Sequence, residues 1–199
     1  MYLVGDIGNT EAKICLVNSN FIITKKVILK TSLIKKSYVE KVFISRGIKK
    51  KIIKKALISS VVPKAYKEIF NFCQKRKIKC VELKKLNLKS FLKIKPNFNQ
   101  VGSDRLANAI GMINKNKNFI IIDFGTATTF DVINKNEYLG GVIAPGVNLS
   151  LKNLIDGASL IPLINLTKIS NVVGKNTKSA VKSGFYWGYS GLINNLIKR

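Results

Sequence analysis

The sequence has 199 residues, 46% of them hydrophobic, and a formal net charge of +25. This length and apolar content predict a folded globular protein with either one large domain or two small lobes. The chain contains no histidine, which excludes imidazole acid–base catalysis, Ser-His triads and histidine metal ligands, so any general base must be a carboxylate, lysine, tyrosine or cysteine.

The first half of the chain has the pattern of an α/β lobe. Three short apolar runs joined by tight turns predict an antiparallel meander, and two alternations of helix and strand follow. The predicted strands are Tyr2–Gly5, Lys13–Val17, Phe21–Leu29, Ala56–Val62 and Ile78–Leu83, and the predicted helices are Ser37–Ile48 and Tyr66–Lys75.

The second half begins with the same kind of strand pattern after a closely packed helix. We predict this helix over Leu106–Ile113, with Ser103 or Asp104 as its N-cap. The predicted lobes are residues 1–116 and 117–199. The second lobe has predicted strands Phe119–Asp123, Thr129–Ile133 and Tyr138–Ile143, followed by predicted helices Val147–Asp156 and Thr177–Ile197.

The strongest functional signal in the sequence is a pair of similar loops. The first loop is Gly5-Asp6-Ile7-Gly8-Asn9-Thr10 and the second loop is Asp123-Phe124-Gly125-Thr126-Ala127-Thr128-Thr129. A glycine turn between strands lets backbone amides approach an anion, an aspartate can hold a hydrated metal ion, and threonine hydroxyls can donate to phosphate oxygens. One glycine turn by itself is more often only a turn, but two that face each other would bind a nucleotide.

Asp104 is the leading candidate for a general base. It lies in Gly102-Ser103-Asp104-Arg105, directly before a predicted helix. A carboxylate there can accept the proton of an attacking hydroxyl, and the planar fork of Arg105 suits a substrate carboxylate. The alternative is that Asp104 only caps the helix and that Arg105 is a solvated charge.

The positive charge is spread along the chain rather than gathered in one stripe. Only four of the 35 basic residues are arginine, namely Arg46, Arg76, Arg105 and Arg199. This bias to lysine predicts a solvated surface with weak nonspecific affinity for polyanions and no specific nucleic-acid partner.

Cysteine usage and hydropathy predict a cytoplasmic location. Cys15, Cys73 and Cys80 lack the Cys-x-x-Cys spacing of redox and zinc motifs, which is typical of free thiols in a reducing compartment. No apolar run approaches the 18 or so residues of a membrane span, and Met1–Val4 is too short for a signal core. We therefore expect no membrane partner.

Five motifs in a fixed order give the chain a family resemblance. It resembles the type III pantothenate kinases, which belong to the actin-like, ribonuclease H-like superfamily of phosphotransferases. The motifs are Asp6-Ile7-Gly8-Asn9-Thr10, Gly102-Ser103-Asp104-Arg105, the second loop, Gly140-Gly141-Val142-Ile143-Ala144-Pro145-Gly146, and Gly174-Lys175-Asn176-Thr177 with Ser183-Gly184.

The resemblance implies a two-lobed α/β kinase that phosphorylates pantothenate with ATP, the first step of coenzyme A biosynthesis. It further implies a homodimer, a magnesium ion near Asp6 and a monovalent cation, K⁺ or NH₄⁺, at Asp123. Asp104 would be the general base. The implied ATP-binding residues are Asp6, Ile7, Gly8, Asn9, Thr10, Glu11, Ala12, Lys13 and Thr126, and the implied pantothenate-binding residues are Gly102, Ser103, Asp104, Arg105 and Thr177.

Two departures from the family pattern stand out. Lys95 and Phe98 occupy positions where family members commonly have Tyr and Pro. Family chains also usually continue for several dozen residues beyond the position of Arg199, with a further strand and a Thr-Gly-Gly loop. We therefore expect the second lobe to be incomplete.

Two other functions remain open from the sequence. One is a catalytically impaired relative that acts as a regulatory or nucleic-acid-associated protein. The other is an actin-fold kinase for a different hydroxyl substrate.

Overall fold

The computed structural model describes residues 1–45 and 53–199, which form two compact units. The first unit comprises Met1–Phe119 and Ile133–Gly140, and the second unit comprises Ile120–Val132 and Gly141–Arg199. The division into lobes at residues 116 and 117 stays a prediction.

The first unit contains a mixed five-stranded sheet. The strands are β1 (Tyr2–Ile7), β2 (Glu11–Val17), β3 (Ile23–Lys30), β4 (Lys55–Ser60) and β5 (Lys79–Glu82). Their order in the sheet is β3-β2-β1-β4-β5. β1, β2 and β3 pair antiparallel, as the predicted meander requires, whereas β4 runs parallel to β1 and β5 parallel to β4.

Alternating side chains explain why one face of this sheet is buried. In β2, the buried residues Ala12, Ile14 and Leu16 alternate with the exposed Glu11 and Lys13. Two helices, α1 (Lys36–Ser45) and α2 (Pro63–Lys75), contribute to the same core, and the rings of their residues Phe43 and Phe72 lie 4.5 Å apart. α2 begins with Pro63 at its first position and buries Ala65, Ile69, Phe72 and Cys73, which share one face of the helix.

The rest of the first unit carries the short strand β6 (Lys93–Ile94) and the helix α3 (Ser103–Gly111). α3 buries Ser103, Leu106 and Ala109, and it packs against β4.

The remaining strands are β7 (Asn118–Phe124), β8 (Ala127–Asn134) and β9 (Glu137–Pro145). With β6 they form a second sheet in the order β6-β9-β8-β7, in which β6 runs parallel to β9. Two helices complete the second unit, α4 (Val147–Gly157) and α5 (Thr177–Lys198). α5 begins with a capping box between Asn176 and Ser179.

The α/β fold class and the order of the predicted elements are confirmed, with three corrections. α2 begins at Pro63 instead of Tyr66. β6 has only two residues and was not predicted. α3 begins at Ser103 instead of Leu106, and its N-cap is Gly102 rather than Ser103 or Asp104. Arg46–Ile48, the end of the first predicted helix, lies outside the described residues.

Candidate active site

The first loop is a tight hairpin between β1 and β2. The Gly8 amide donates to the Glu11 carbonyl at 2.9 Å and closes the turn. Asn9, Thr10 and Glu11 are exposed, whereas Ile7 and Ala12 are fully buried. The buried pair anchors the turn in the core, so only their main-chain groups can reach a ligand.

Three polar residues line up across the strands beside this loop. In the sheet register, Asp6 lies opposite Lys13 of β2 on one side and opposite Ser59 of β4 on the other. Neighbouring residues in register point to the same face of a sheet, so these side chains form one row, called here the Lys13–Asp6–Ser59 row. Lys13 and Asp6 are exposed and Ser59 is 6% exposed.

Thr31, which was not predicted from the sequence, holds the first loop in place through two hydrogen bonds. Its hydroxyl donates to the Gly8 carbonyl at 2.7 Å, and its amide donates to the Thr10 carbonyl at 2.9 Å. Thr31 follows β3 and is buried. Two bonds from one residue therefore hold both ends of the Gly8–Thr10 turn.

We expect Thr31→Val to loosen this turn. Valine keeps the shape of threonine but removes the donor to Gly8, and one such bond contributes about 1 kcal/mol. The melting temperature should fall by a few degrees and KM for ATP should rise a few-fold, with kcat little changed. Thermal melts and steady-state kinetics measure both.

Thr24→Val is the matched control. The Thr24 hydroxyl also donates to a strand carbonyl, that of Leu16 at 3.1 Å, but it lies away from the first loop. The control should change stability without changing KM for ATP. Equal KM values for the two variants would contradict the role assigned to Thr31.

Asp104 is held at the beginning of α3. Its Oδ1 atom accepts a hydrogen bond from the Arg105 amide at 2.8 Å. A Cβ at position 102 would overlap Asp104 Oδ1, so Gly102 makes room for this carboxylate. The same Cβ would lie 3.6 Å from Val61 Cγ1, which puts the motif beside the segment that follows β4. Asp104 and Arg105 are both half-buried.

Several buried hydroxyls have no hydrogen-bond partner among the described residues. They include Ser59 and Ser103 in the first unit and Thr128 in the second unit. A buried hydroxyl without a partner destabilises a protein by about 1–3 kcal/mol, so such groups are uncommon in folded proteins. Ser103 is one of the predicted pantothenate-binding residues and Thr128 belongs to the second loop, whereas Ser59 was not predicted.

The residues that depart from the family pattern make local contacts in the first unit. Lys95 and Lys93 both pair with Glu137, at 3.5 and 2.7 Å. The hydrogen bond from Lys93 and the nearby positive charge lower the pKa of the Glu137 carboxyl. Phe98 lies under the Lys84 ammonium group, 4.9 Å from its ring centre. Lys95 and Phe98 thus help to hold the segment that leads to Gly102.

The second loop is braced by the start of α4. Gly125 donates to the Ala127 carbonyl at 3.0 Å, and Gly146 donates to the Thr126 carbonyl at 3.0 Å. Gly146 is buried, and a Cβ there would overlap the carbonyl oxygens of Gly125 and Thr126. Asp123 and Thr126 are exposed. The loop conformation that exposes the side chains of Asp123 and Thr126 therefore requires a glycine at position 146.

Thr177 is the first residue of α5 and is exposed. The preceding segment packs on the helix: the Ser183 hydroxyl donates to the Val172 carbonyl, and a Cβ at Gly174 would overlap the backbone of Ala180. Thr177 thus lies at a helix N-terminus, where amide groups favour an anionic ligand.

A cavity of about 320 Å³ opens in the second unit between residues 166–168 and α5. It is lined mainly by aromatic and aliphatic side chains, and also by Lys168 and Lys182. None of the predicted site residues lines it.

Residues 1–45 and 53–199 contain no cluster of three or more His, Cys, Asp or Glu side chains that could hold a metal ion. Over the same ranges, no helix combines the length and the apolar character needed to cross a membrane.

The structure distributes the predicted site residues over the two units. The first unit brings Asp6 and Lys13 side by side, and it also contains the residues from Gly102 to Arg105. The second unit contains Asp123, Thr126 and Thr177. Each loop is flanked by strands on both sides, as predicted.

Comparison with known proteins identifies relatives of the chain. A family model described as type III pantothenate kinase matches residues 2–199. The type III pantothenate kinase of Pelagibacter ubique (strain HTCC1062) is 60% identical over 198 residues, which cover 99% of this chain and 80% of that protein. The type III pantothenate kinase of Cereibacter sphaeroides (strain ATCC 17029) is 41% identical over 147 residues, or 71% of this chain and 57% of that protein.

A solved structure resembles the fold over nearly the whole chain. It is the crystal structure of a conserved protein from Campylobacter jejuni described as a Baf family transcriptional activator, with a TM-score of 0.60. It is 20% identical to this chain, and the match covers 98% of this chain and 78% of that one. At this identity, the similarity shows only that the two proteins share a fold. The family match and the Pelagibacter relative confirm the predicted family: the chain belongs to the type III pantothenate kinases, an enzyme family of the kinase class.

Proposed function

We propose that this protein phosphorylates pantothenate with ATP and releases 4'-phosphopantothenate, the first step of coenzyme A biosynthesis. The observation that carries the proposal is 60% identity to a type III pantothenate kinase over 99% of the chain. The comparisons favour this reaction over the regulatory alternative.

The first loop and Lys13 bind the phosphate groups of ATP in this proposal. Support comes from the tight Gly8–Glu11 turn, the exposed Asn9 and Thr10, and the position of Lys13 opposite Asp6. Ile7 and Ala12 contribute main-chain groups, since their side chains are buried. Thr126 of the second loop also contacts phosphate.

Magnesium fits the residues beside this loop. Mg²⁺ is usually held by one or two carboxylates, with waters and substrate phosphates completing its shell, and the exposed Asp6 supplies a carboxylate of this kind. A bound Mg²⁺ would neutralise charge on the phosphates. The monovalent cation, K⁺ or NH₄⁺, is assigned to the exposed carboxylate of Asp123.

Asp104 acts as the general base for the pantothenate hydroxyl. Oδ1 accepts from the Arg105 amide, so the proton is taken up at Oδ2. The Arg105 guanidinium pairs with the pantothenate carboxylate. Gly102, Ser103 and Thr177 provide further contacts to this substrate.

Phosphoryl transfer needs little covalent chemistry from the protein. The transferring group passes through a loose transition state, so alignment and charge neutralisation provide most of the rate enhancement. In this chain, the first loop and Lys13 hold the donor, and the Gly102–Arg105 motif orients the acceptor.

A homodimer is part of the proposal, as the family resemblance implies. Gly184, Gly188 and Gly191 of α5 have open space around them, and Trp187 on the same helix is 41% exposed. Such a surface suits close packing by a second helix. A cytoplasmic location stays a prediction.

An assay of purified protein with pantothenate, MgATP and KCl tests the function. We expect phosphopantothenate, detected by mass spectrometry, to accumulate in proportion to ADP. Omission of pantothenate should abolish ADP release above the background. Failure of the folded protein to form the product would refute the proposal. Sedimentation equilibrium of the same sample gives the oligomeric state.

A further inference from the structure

Ser59 ends up beside Asp6 through a pairing that the sequence does not reveal. β1 and β4 are parallel neighbours, and their register places Asp6 directly opposite Ser59. Parallel strands lie about 4.8 Å apart, so two short side chains in register on one face are within reach of each other after rotation about χ1.

The hydroxyl of Ser59 is buried and has no hydrogen-bond partner among the described residues. Its neighbour Ser60 differs in this respect, since its hydroxyl donates to the Val62 carbonyl and accepts from the Val62 amide. The Ser60 hydroxyl is therefore hydrogen-bonded within a local turn, whereas the Ser59 hydroxyl makes no hydrogen bond with the described residues. A buried polar group of this kind calls for an explanation other than folding.

The surroundings of Ser59 belong to the proposed active site. On one side is Asp6, and beyond Asp6 is Lys13, in the Lys13–Asp6–Ser59 row. On the other side, α3 packs against β4 and carries Asp104 in its first turn. Carboxylates that bind metal ions are usually hydrogen-bonded by neighbouring side chains, which fix their orientation.

We infer that Ser59 is a positioning residue for Asp6. When Asp6 takes up magnesium and the phosphates of ATP, the Ser59 hydroxyl rotates and donates a hydrogen bond to one Asp6 carboxylate oxygen. The bond leaves the other oxygen directed at the hydrated ion. This inference rests on the proposed function, because it assigns Asp6 to magnesium.

Ser59→Ala should raise the magnesium concentration needed for half-maximal activity three- to tenfold, with kcat changed less than twofold. Calorimetry should show weaker MgATP binding by a similar factor. The melting temperature of the ligand-free variant should stay the same or rise, because the mutation removes a buried hydroxyl without a partner. Ser59→Thr, which restores a hydroxyl, should recover the magnesium dependence of the original protein.

Ser60→Ala is the control on the same strand. It loses two hydrogen bonds to Val62, so its melting temperature should fall while its magnesium dependence stays unchanged. Ser59→Ala would overturn the inference if it behaved in this way, with lower stability and unaltered magnesium dependence. Failure of Ser59→Thr to restore the magnesium dependence, in a folded variant, would also overturn it.

The outcomes separate this inference from the proposed function. A protein that binds MgATP but forms no phosphopantothenate would disprove the function, and the calorimetric comparison of Ser59→Ala would still decide the role of Ser59. An active enzyme whose Ser59→Ala variant binds MgATP normally would disprove the inference only. A protein that does not bind MgATP would disprove both.

Discussion

Asp104→Asn should lower kcat by about 10²–10⁴-fold, the usual contribution of a general base. Asparagine keeps an Oδ1 atom that can accept from the Arg105 amide, so the beginning of α3 should be preserved. What is lost is the basic oxygen that we propose takes up the proton of the pantothenate hydroxyl. Steady-state kinetics measure the loss, and calorimetry should show ATP and pantothenate binding within a few-fold of the original affinities.

Two controls make this result interpretable. The melting temperature of Asp104→Asn should be close to that of the original protein, whereas Asp104→Ala should melt lower, because it also removes the acceptor for the Arg105 amide. Turnover that is unchanged in a folded Asp104→Asn variant would remove Asp104 from the role of general base.

Gly146→Ala should lower kcat/KM for ATP by about 10²-fold, because a displacement of about 1 Å in a binding loop can have an effect of this size. The new methyl group would overlap the carbonyl oxygens of Gly125 and Thr126, and both belong to backbone that cannot rotate away as a side chain can. The second loop must therefore move. Overpacking of this kind also destabilises a fold by about 1–3 kcal/mol.

Gly157→Ala is the matched control for this substitution. Gly157 is the last residue of α4, and an added Cβ has nothing within 4 Å. The control should leave the kinetics unchanged and keep or slightly raise the melting temperature. Similar kinetics for Gly146→Ala and the original protein would contradict the assignment of the second loop to ATP.

Most secondary structure could be predicted because its signals are local. Within the predicted elements, the buried residues Ile14 and Leu16 alternate along β2. Likewise, Ile69, Phe72 and Cys73 have the spacing of one helix face in α2. The beginning of α3 was missed because its first turn, Ser103 to Arg105, is mostly polar and carries no apolar repeat. The strand β6 was missed because two residues are too few to form a pattern.

The candidate site was predictable where chemistry and spacing coincide in one segment. The two loops and the Gly102–Arg105 motif are of this type. Thr31 and Ser59 were not predictable, because their roles depend on contacts with segments far away in the sequence. A threonine after a strand and a serine before another serine are ordinary residues until the strand register is known.

Some lysines of this lysine-rich chain have structural roles that the composition does not reveal. Lys84 donates to the carbonyl groups of Asn99 and Val101, at 3.2 and 3.0 Å, and lies over the ring of Phe98. This lysine holds the segment before Gly102 in place. In a chain with 35 basic residues, nothing in the sequence distinguishes it from its solvated neighbours.

The two bonds from Thr31 to the Gly8–Thr10 turn restrict where the chain can change length. Inserting or deleting one residue between Val27 and Thr31 would turn successive side chains to the opposite face and would pull Thr31 out of reach of both carbonyl groups. The turn at the other end of β3, from Asn18 to Ile22, is closed by its own hydrogen bonds and its tip is exposed. Loop grafts, affinity tags and fluorescent probes therefore belong at that distal turn.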